Sequence, residues 1–247
     1  MELGPRVIFT IHNVPLIGDL HFTETVVFGW IVSLAILLFA FLATRKMTRI
    51  PHGCQNVAEL LVGFIYKMVK DVMGDVSERF TPYLGTLITF LGLGSMLGLL
   101  DIRAVTADVN CTLPLALVTF IMIHYNAVKA QTAIGYIKEL SSPYAFMLPL
   151  NLMSDCMFPV TLGCRIFGNI LAGVIIMTLV YGGLSTASGA LIGLFTDSGI
   201  NIPFFQIAWP LPLNFWFDMF EPILQAYIFT MLTMVFIDNG RHPAETD

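Results

Sequence analysis

Residues 156–180 read Cys-Met-Phe-Pro-Val-Thr-Leu-Gly-Cys-Arg-Ile-Phe-Gly-Asn-Ile-Leu-Ala-Gly-Val-Ile-Ile-Met-Thr-Leu-Val, 25 residues whose single charge is Arg165. As a helix rising 1.5 Å per residue the stretch is about 37 Å long, more than the roughly 30 Å hydrocarbon thickness of a bilayer. An arginine near its middle costs about 2.5–3.5 kcal/mol to insert. It cannot escape by deprotonating, since its pKa exceeds about 12. Such a residue needs a partner carboxylate, a water-filled cavity or a route to the interface.

The rest of the chain agrees with a membrane setting. Of its 247 residues 56% are apolar and only 12% charged, with 20 Phe and 13 Met; soluble domains carry about 25% charged residues. Mean hydropathy is +0.80. A net charge of −5 argues against a nucleic-acid partner. Cys54, Cys111, Cys156 and Cys164 form no CxxC pair and read as small, buried apolar fillers. The N-terminus lacks the basic region of a cleavable signal peptide.

Charge-free runs at 25–44, 80–100 and 109–128 predict three membrane spans. Between the first two, residues 55–76 repeat apolar positions (Val57, Leu61, Phe64, Ile65, Met68, Val72, Val76) at three- and four-residue spacing, with Glu59, Lys67, Lys70 and Asp71 mostly opposite. That pattern predicts an amphipathic helix lying on the membrane surface. From Leu140 to Ile237 the only charges are Asp155, Arg165, Asp197, Asp218 and Glu221. Two further spans, 147–181 and 204–237, exceed one bilayer thickness and must tilt or kink, with Pro159, Pro210, Pro212 and Pro222 as places to do so. The Gly/Ser-rich segment Gly182–Gly199 reads as the loop between them. The expected fold is therefore an all-α polytopic membrane protein, residues 1–247 forming one integral membrane domain of five crossings plus one surface helix, the last two helices long, tilted and antiparallel.

With the N-terminus outside, nine of the twelve Lys and Arg residues (Arg45, Lys46, Arg49, Lys67, Lys70, Arg79, Lys129, Lys138, Arg241) fall on one side, and Arg6 and Arg103 on the other. The positive-inside rule places the nine, and the C-terminus, in the cytoplasm.

Asn169 follows Arg165 by one helical turn, and Asp218, Glu221 and Gln225 share one face of the last helix. Polar stripes inside an apolar envelope mark ion or proton pathways; static pairing of Arg165 with Asp218 or Glu221 is the competing reading. Asp155, about 15 Å of helix before Arg165, marks either the cytoplasmic end of such a path or a helix N-cap. His124 reads as a packed or interfacial residue near the end of its span. HExxH, Walker A and GxGxxG motifs are absent, so neither metal, nucleotide nor other cofactor is expected.

Arg165-Ile166-Phe167-Gly168-Asn169 followed by Ile170-Leu171-Ala172-Gly173 resembles the R-[LI]-F-G-N-x-x-A-G signature of subunit a of F-type ATP synthases. Gln225–Thr233, Gln-Ala-Tyr-Ile-Phe-Thr-Met-Leu-Thr, resembles that family's last-helix motif, and Thr106-Ala107-Asp108-Val109-Asn110 its T-A-D-x-N. Tyr136-Ile137-Lys138-Glu139 with Ser142-Pro143 is similar to the segment before its fifth helix, and the resemblance runs over residues 20–238. It implies a non-catalytic, ion-translocating stator subunit of the F0 sector, with Arg165 facing a rotating ring of c subunits. It further implies peripheral-stalk b subunits, the rest of the F1F0 complex and membrane lipid as partners, and a multi-pass place in a bacterial plasma membrane. Arg165, Asn169, Gln225, Asp218, Glu221, Asp155, Asp108 and Asn110 are then the candidate ion-translocation residues. Many members carry an acidic residue or His nine positions after the arginine; here that position is Val174, and Glu221 is the candidate substitute. The resemblance leaves H⁺ or Na⁺ open, with H⁺ the commoner case. A secondary transporter with a midplane substrate site is the alternative; it predicts internal repeats and paired broken helices, which the sequence lacks.

Overall fold

The computed structural model describes residues 7–14, 18–45, 47–100, 102, 104–131, 133–141, 144–195 and 210–241. Helices dominate. They are α1 (Glu24–Thr44), α2 (Cys54–Met73), α3 (Ser77–Ser95), α4 (Val109–Gln131), α5 (Ala133–Leu140), α6 (Leu148–Phe195) and α7 (Leu211–Asn239). Among the described residues, five helical segments are long and apolar enough to cross a membrane: Glu24–Thr44, Cys54–Leu100, Val109–Gln131, Leu148–Ala190 and Leu211–Asn239. A short antiparallel hairpin, β1 (Val7–Val14) and β2 (Gly18–Thr23), precedes α1. Phe22 ties it to α1 edge-on to Trp30, with ring centres 6.2 Å apart.

The core sits around α3. Phe80 and Leu84 pack with Ile65, Val69 and Met73 of α2, Ile123 of α4, and Met234 and Ile237 of α7. Farther along, Leu87 and Leu91 meet Ala116, Leu162, Ile166, Ala226 and Phe229. The chain reverses from α2 into α3 at Gly74, whose φ of +56° favours glycine. The amphipathic helix expected at 55–76 is thus α2; Ile65, Val69 and Met73 pack on α3 and α7, while Val57, Leu61 and Phe64 of the same apolar pattern stay exposed. The outward faces are apolar too: Trp30, Leu34, Leu37 and Phe41 of α1 are all exposed, as lipid-facing positions must be.

Two expectations need correction. Gly182–Gly199 was expected as a loop, but α6 continues through Phe195; residues 196–199 lie outside the described residues. Glycine disfavours helix by about 1 kcal/mol relative to alanine, a cost that good helix formers between the glycines, Leu184, Ala187 and Ala190, help to offset. Thr186 and Ser188 also return their hydroxyls to the carbonyls of Gly182 and Leu184, at 3.0 and 2.8 Å. The cysteines, read as buried, are not: Cys54, Cys156 and Cys164 are exposed and Cys111 is half-buried. A small apolar group needs no protein core where its surroundings are apolar.

Helices α6 and α7 run antiparallel. Phe158 packs against Phe236, Asn169 bonds Gln225, and Tyr181 bonds Asn214, so partners descend in α7 as they ascend in α6. At 48 residues, α6 is about 72 Å long, over twice a bilayer's hydrocarbon thickness. It cannot stand upright in a membrane.

Candidate functional site

Arg165 projects from the exposed face of α6, beside exposed Thr161 and Cys164, while Leu162 and Ile166 turn into the core at 2% and 1% exposure. The 3.6-residue period therefore splits the RIFGN stretch: its apolar residues anchor the helix and its arginine faces outward. Among the described residues no carboxylate lies within ion-pair distance of Arg165; the ion pair found is Arg241 with Asp238, at 3.9 Å. Static pairing with Asp218 or Glu221 is not what the structure contains.

One turn on, Asn169 donates from Nδ2 to Oε1 of Gln225 at 3.0 Å. Gln225 is 6% exposed. Its own Nε2 is buried without a partner among the described residues. The pair is the polar crossing point of α6 and α7.

Two cavities flank Arg165 along α6. The first, about 410 Å³, is lined by Asn169, Gly173, Val174 and Tyr181 of α6, by Asn214, Asp218 and Glu221 of α7, and by Ser95 and Gly98 at the end of α3. Asp218 and Glu221 thus open into one space, as their shared helical face predicts, and Val174 forms part of the same wall. Asp218 sits in a π-helical turn, Trp216–Phe220, a feature sequence reading did not anticipate. Pro222 accounts for it: lacking an N–H, it cannot bond the carbonyl four residues back, at Asp218, and its ring presses on that carbonyl. Widening the turn relieves the contact. The two helices approach closely here, since a Cβ on Gly173 would stand 3.1 Å from the Phe217 ring.

The second cavity, about 550 Å³, lies at the other end, between α4, α5, α6 and α7. It reaches from Asn239 and Gly240 to Thr161 and contains Asp155, His124 and Tyr136. Asp155 lies seven residues inside α6, so it is not that helix's N-cap. It accepts a hydrogen bond from the Tyr136 hydroxyl at 3.3 Å. Pro159 follows it by four residues and leaves its backbone carbonyl without a helical partner. Thr161 and Asn169, one turn either side of Arg165, each line one cavity. The arginine stands between them, about 6 Å of helix rise from each.

Asp108 and Asn110 line neither cavity. Asp108 is 6% exposed at the start of α4. Its Oδ1 accepts from the backbone N–H and side-chain amide of Asn110 at 3.0 and 3.1 Å, an N-cap arrangement. Its Oδ2 accepts from Thr25 at 2.8 Å, and Thr106 bonds Ser95 at 2.8 Å. The T-A-D-x-N turn is a buried polar joint locking α1 and α3 to α4. Among the described residues no three His, Cys, Asp or Glu side chains converge on a metal position.

The family model described as "ATP synthase A chain" matches residues 26–238. The chain belongs to that family. Among curated subunit a relatives, "ATP synthase subunit a 2" of Bradyrhizobium sp. (strain BTAi1 / ATCC BAA-1182) is 33% identical, over 90% of both chains. "ATP synthase subunit a" of Moorella thermoacetica is 29% identical, over 92% of this chain and 94% of the relative. A third, "ATP synthase subunit a, sodium ion specific" of Propionigenium modestum, is 27% identical, over 98% and 86%. In this subunit a family member, Asn169 bonds Gln225 and shares one cavity with Asp218 and Glu221, Arg165 faces outward one turn away, and Asp155 stands apart in the second cavity. Sequence reading missed His124 as a member of that second group. Its partners come from α5 and α6, and no periodicity within α4 signals them.

Proposed function

We propose that this chain is the ion-translocating stator subunit in the membrane sector of an ATP synthase, with Arg165 facing the ion-binding carboxylates of a rotating c-subunit ring. The observation that carries this reading is an outward-facing arginine, unpaired among the described residues, between two polar cavities at opposite ends of one helix pair. An unmatched charge on an apolar face is costly in lipid and useful against a passing carboxylate.

The mechanism follows from electrostatics. A ring carboxyl must be neutral to face lipid and ionised to exchange its ion. Arg165 favours the ionised form in a low-dielectric setting, so ions dissociate near it. The same fixed charge blocks a direct leak between the two cavities. An ion entering through the Asp218–Glu221 cavity loads one ring site, and the ring turns almost fully before that ion leaves through the Asp155 cavity. A transmembrane potential of 100 mV contributes about 2.3 kcal/mol per charge moved. In this proposal the N-terminus and the Asp218–Glu221 cavity face outside, and α2 lies along the cytoplasmic surface. Peripheral-stalk b subunits, the remaining F1F0 subunits and lipid complete the surroundings in a bacterial plasma membrane. The ion in this reading is a proton, the commoner case among such subunits, with the ring's binding site deciding between H⁺ and Na⁺.

Purification of the tagged chain in mild detergent tests the assignment. Recovery together with a c-ring and ATP-hydrolysing soluble subunits is expected; a stable lone transporter would overturn it.

A further inference from the structure

The Asp155 cavity contains polar groups that the stator mechanism leaves unassigned. His124 is half-buried on α4, its ring against Phe120 with centres 3.9 Å apart and 5.8 Å from the Tyr136 ring. Its Nδ1 is buried with no hydrogen-bond partner among the described residues. A buried polar atom without a partner is unfavourable unless water or a proton acceptor completes it, and the cavity it lines is large enough for water. Histidine is also the side chain that ordinarily exchanges protons near neutral pH.

We propose that His124, Tyr136 and Asp155 form a proton-exchange port at the mouth of the Asp155 cavity, with His124 the group that trades protons with bulk water. The inference rests on the ion-translocation reading above and deepens it. Tyr136 occupies one oxygen of Asp155; a carboxylate offers about four acceptor positions, so capacity remains for a proton in transit. Its ring centre stands 5.8 Å from that of the imidazole, so the same residue touches both groups. The other amide of this wall is already engaged: Asn151 donates to the Leu140 carbonyl at 2.8 Å. Among the described residues, the titratable groups facing His124 are Tyr136 from α5 and Asp155 from α6; the end of α7 and the residue after it contribute Phe236, Asn239 and Gly240, none of which titrates. Thr161 brings the cavity to within one turn of Arg165.

The step conserves every proton. An O–H bond on a ring carboxyl breaks beside Arg165, and water past Thr161 carries the proton until an O–H bond forms on Asp155. That bond breaks as a cavity water takes the proton across, an N–H bond forms on His124, and the imidazolium then releases the proton to water. Each residue ends as it began, and the sequence runs backward during ATP-driven pumping.

The test uses the assembled complex in inverted membrane vesicles, where the cytoplasmic face is outward. His124→Gln keeps a hydrogen-bonding side chain of similar reach but cannot carry the proton. Proton flux should fall about 100-fold, and imidazole added outside the vesicles should restore it, whereas imidazole confined inside should not. Wild-type flux in His124→Gln, or slow flux that imidazole does not rescue, would overturn the port. Should His124→Gln fail to assemble, Asp155→Asn serves: slow flux supports the port and wild-type flux overturns it. Arg165→Ala measured alongside separates the two levels. If Arg165→Ala abolishes coupling while His124→Gln behaves as wild type, only the port is wrong; if coupling survives Arg165→Ala, the stator reading itself is wrong.

Discussion

On each side of Arg165 a cavity-lining aspartate is followed four residues later by a proline, Asp155 by Pro159 and Asp218 by Pro222. Each proline removes the N–H that would bond the aspartate's carbonyl in a regular α-helix, so each cavity places its carboxylate at a proline-perturbed turn. The two helices respond differently. α7 widens into a π turn at Trp216–Phe220, whereas α6 stays α-helical through Pro159. The cavities are also assembled differently. One draws its acidic pair from consecutive turns of α7; the other collects single groups from α4, α5 and α6. A path built on one helix is robust to shifts between helices, while one built from several depends on their packing.

The comparison breaks most visibly if the cavities do not open to opposite sides. The native cysteines must be replaced first, because Cys54, Cys156 and Cys164 are exposed. A cysteine then placed at Ser185, near the far end of α6, should label only from outside, and one at Lys138 only from the cytoplasm. The reverse pattern, or labelling of both from one side, would remove the two-sided arrangement.

Next in size is the acidic pair. Asp218→Asn should slow translocation without preventing assembly, and Asp218→Asn/Glu221→Gln should slow it by far more than either change alone, about 100-fold or beyond if the pair relays protons. Proton flux in vesicles measures this; unchanged flux in the double variant would show that neither residue lines the path.

Smaller effects probe the helix contact between the cavities. Gly173→Ala places a methyl 3.1 Å from Phe217 and should cost about 1–3 kcal/mol through overpacking, read as a lowered Tm of the complex. Asn169→Ala removes the bond to buried Gln225 and should cost about 1–3 kcal/mol. A Tm unchanged in Asn169→Ala would mean that water satisfies Gln225 equally well.

Much of this architecture was legible in the chain. Runs of twenty uncharged residues are long enough to cross a bilayer, and a lone arginine in such a run stands out because its insertion is so costly. Asp218, Glu221 and Gln225 were legible because they share one helix. The features that escaped depend on distant partners or on local hydroxyl bonds. Thr25 and Asp108 are 83 positions apart, so the joint that Asp108 makes with α1 is not legible from its own helix. His124 is identified by Tyr136 and Asp155, which only the fold brings near. The Gly/Ser-rich end of α6 carries loop residues by composition, yet its Thr186 and Ser188 hydroxyls return to carbonyls of the helix that bears them.

The central claim is that Arg165, facing outward between two cavities, couples ion flow to ATP synthesis. Replacing it with alanine and measuring both ATP synthesis and ATP hydrolysis in energised membrane vesicles tests this most directly. Synthesis should fall to background while the assembled soluble head still hydrolyses ATP. ATP synthesis at the wild-type rate in the Arg165→Ala complex would contradict it.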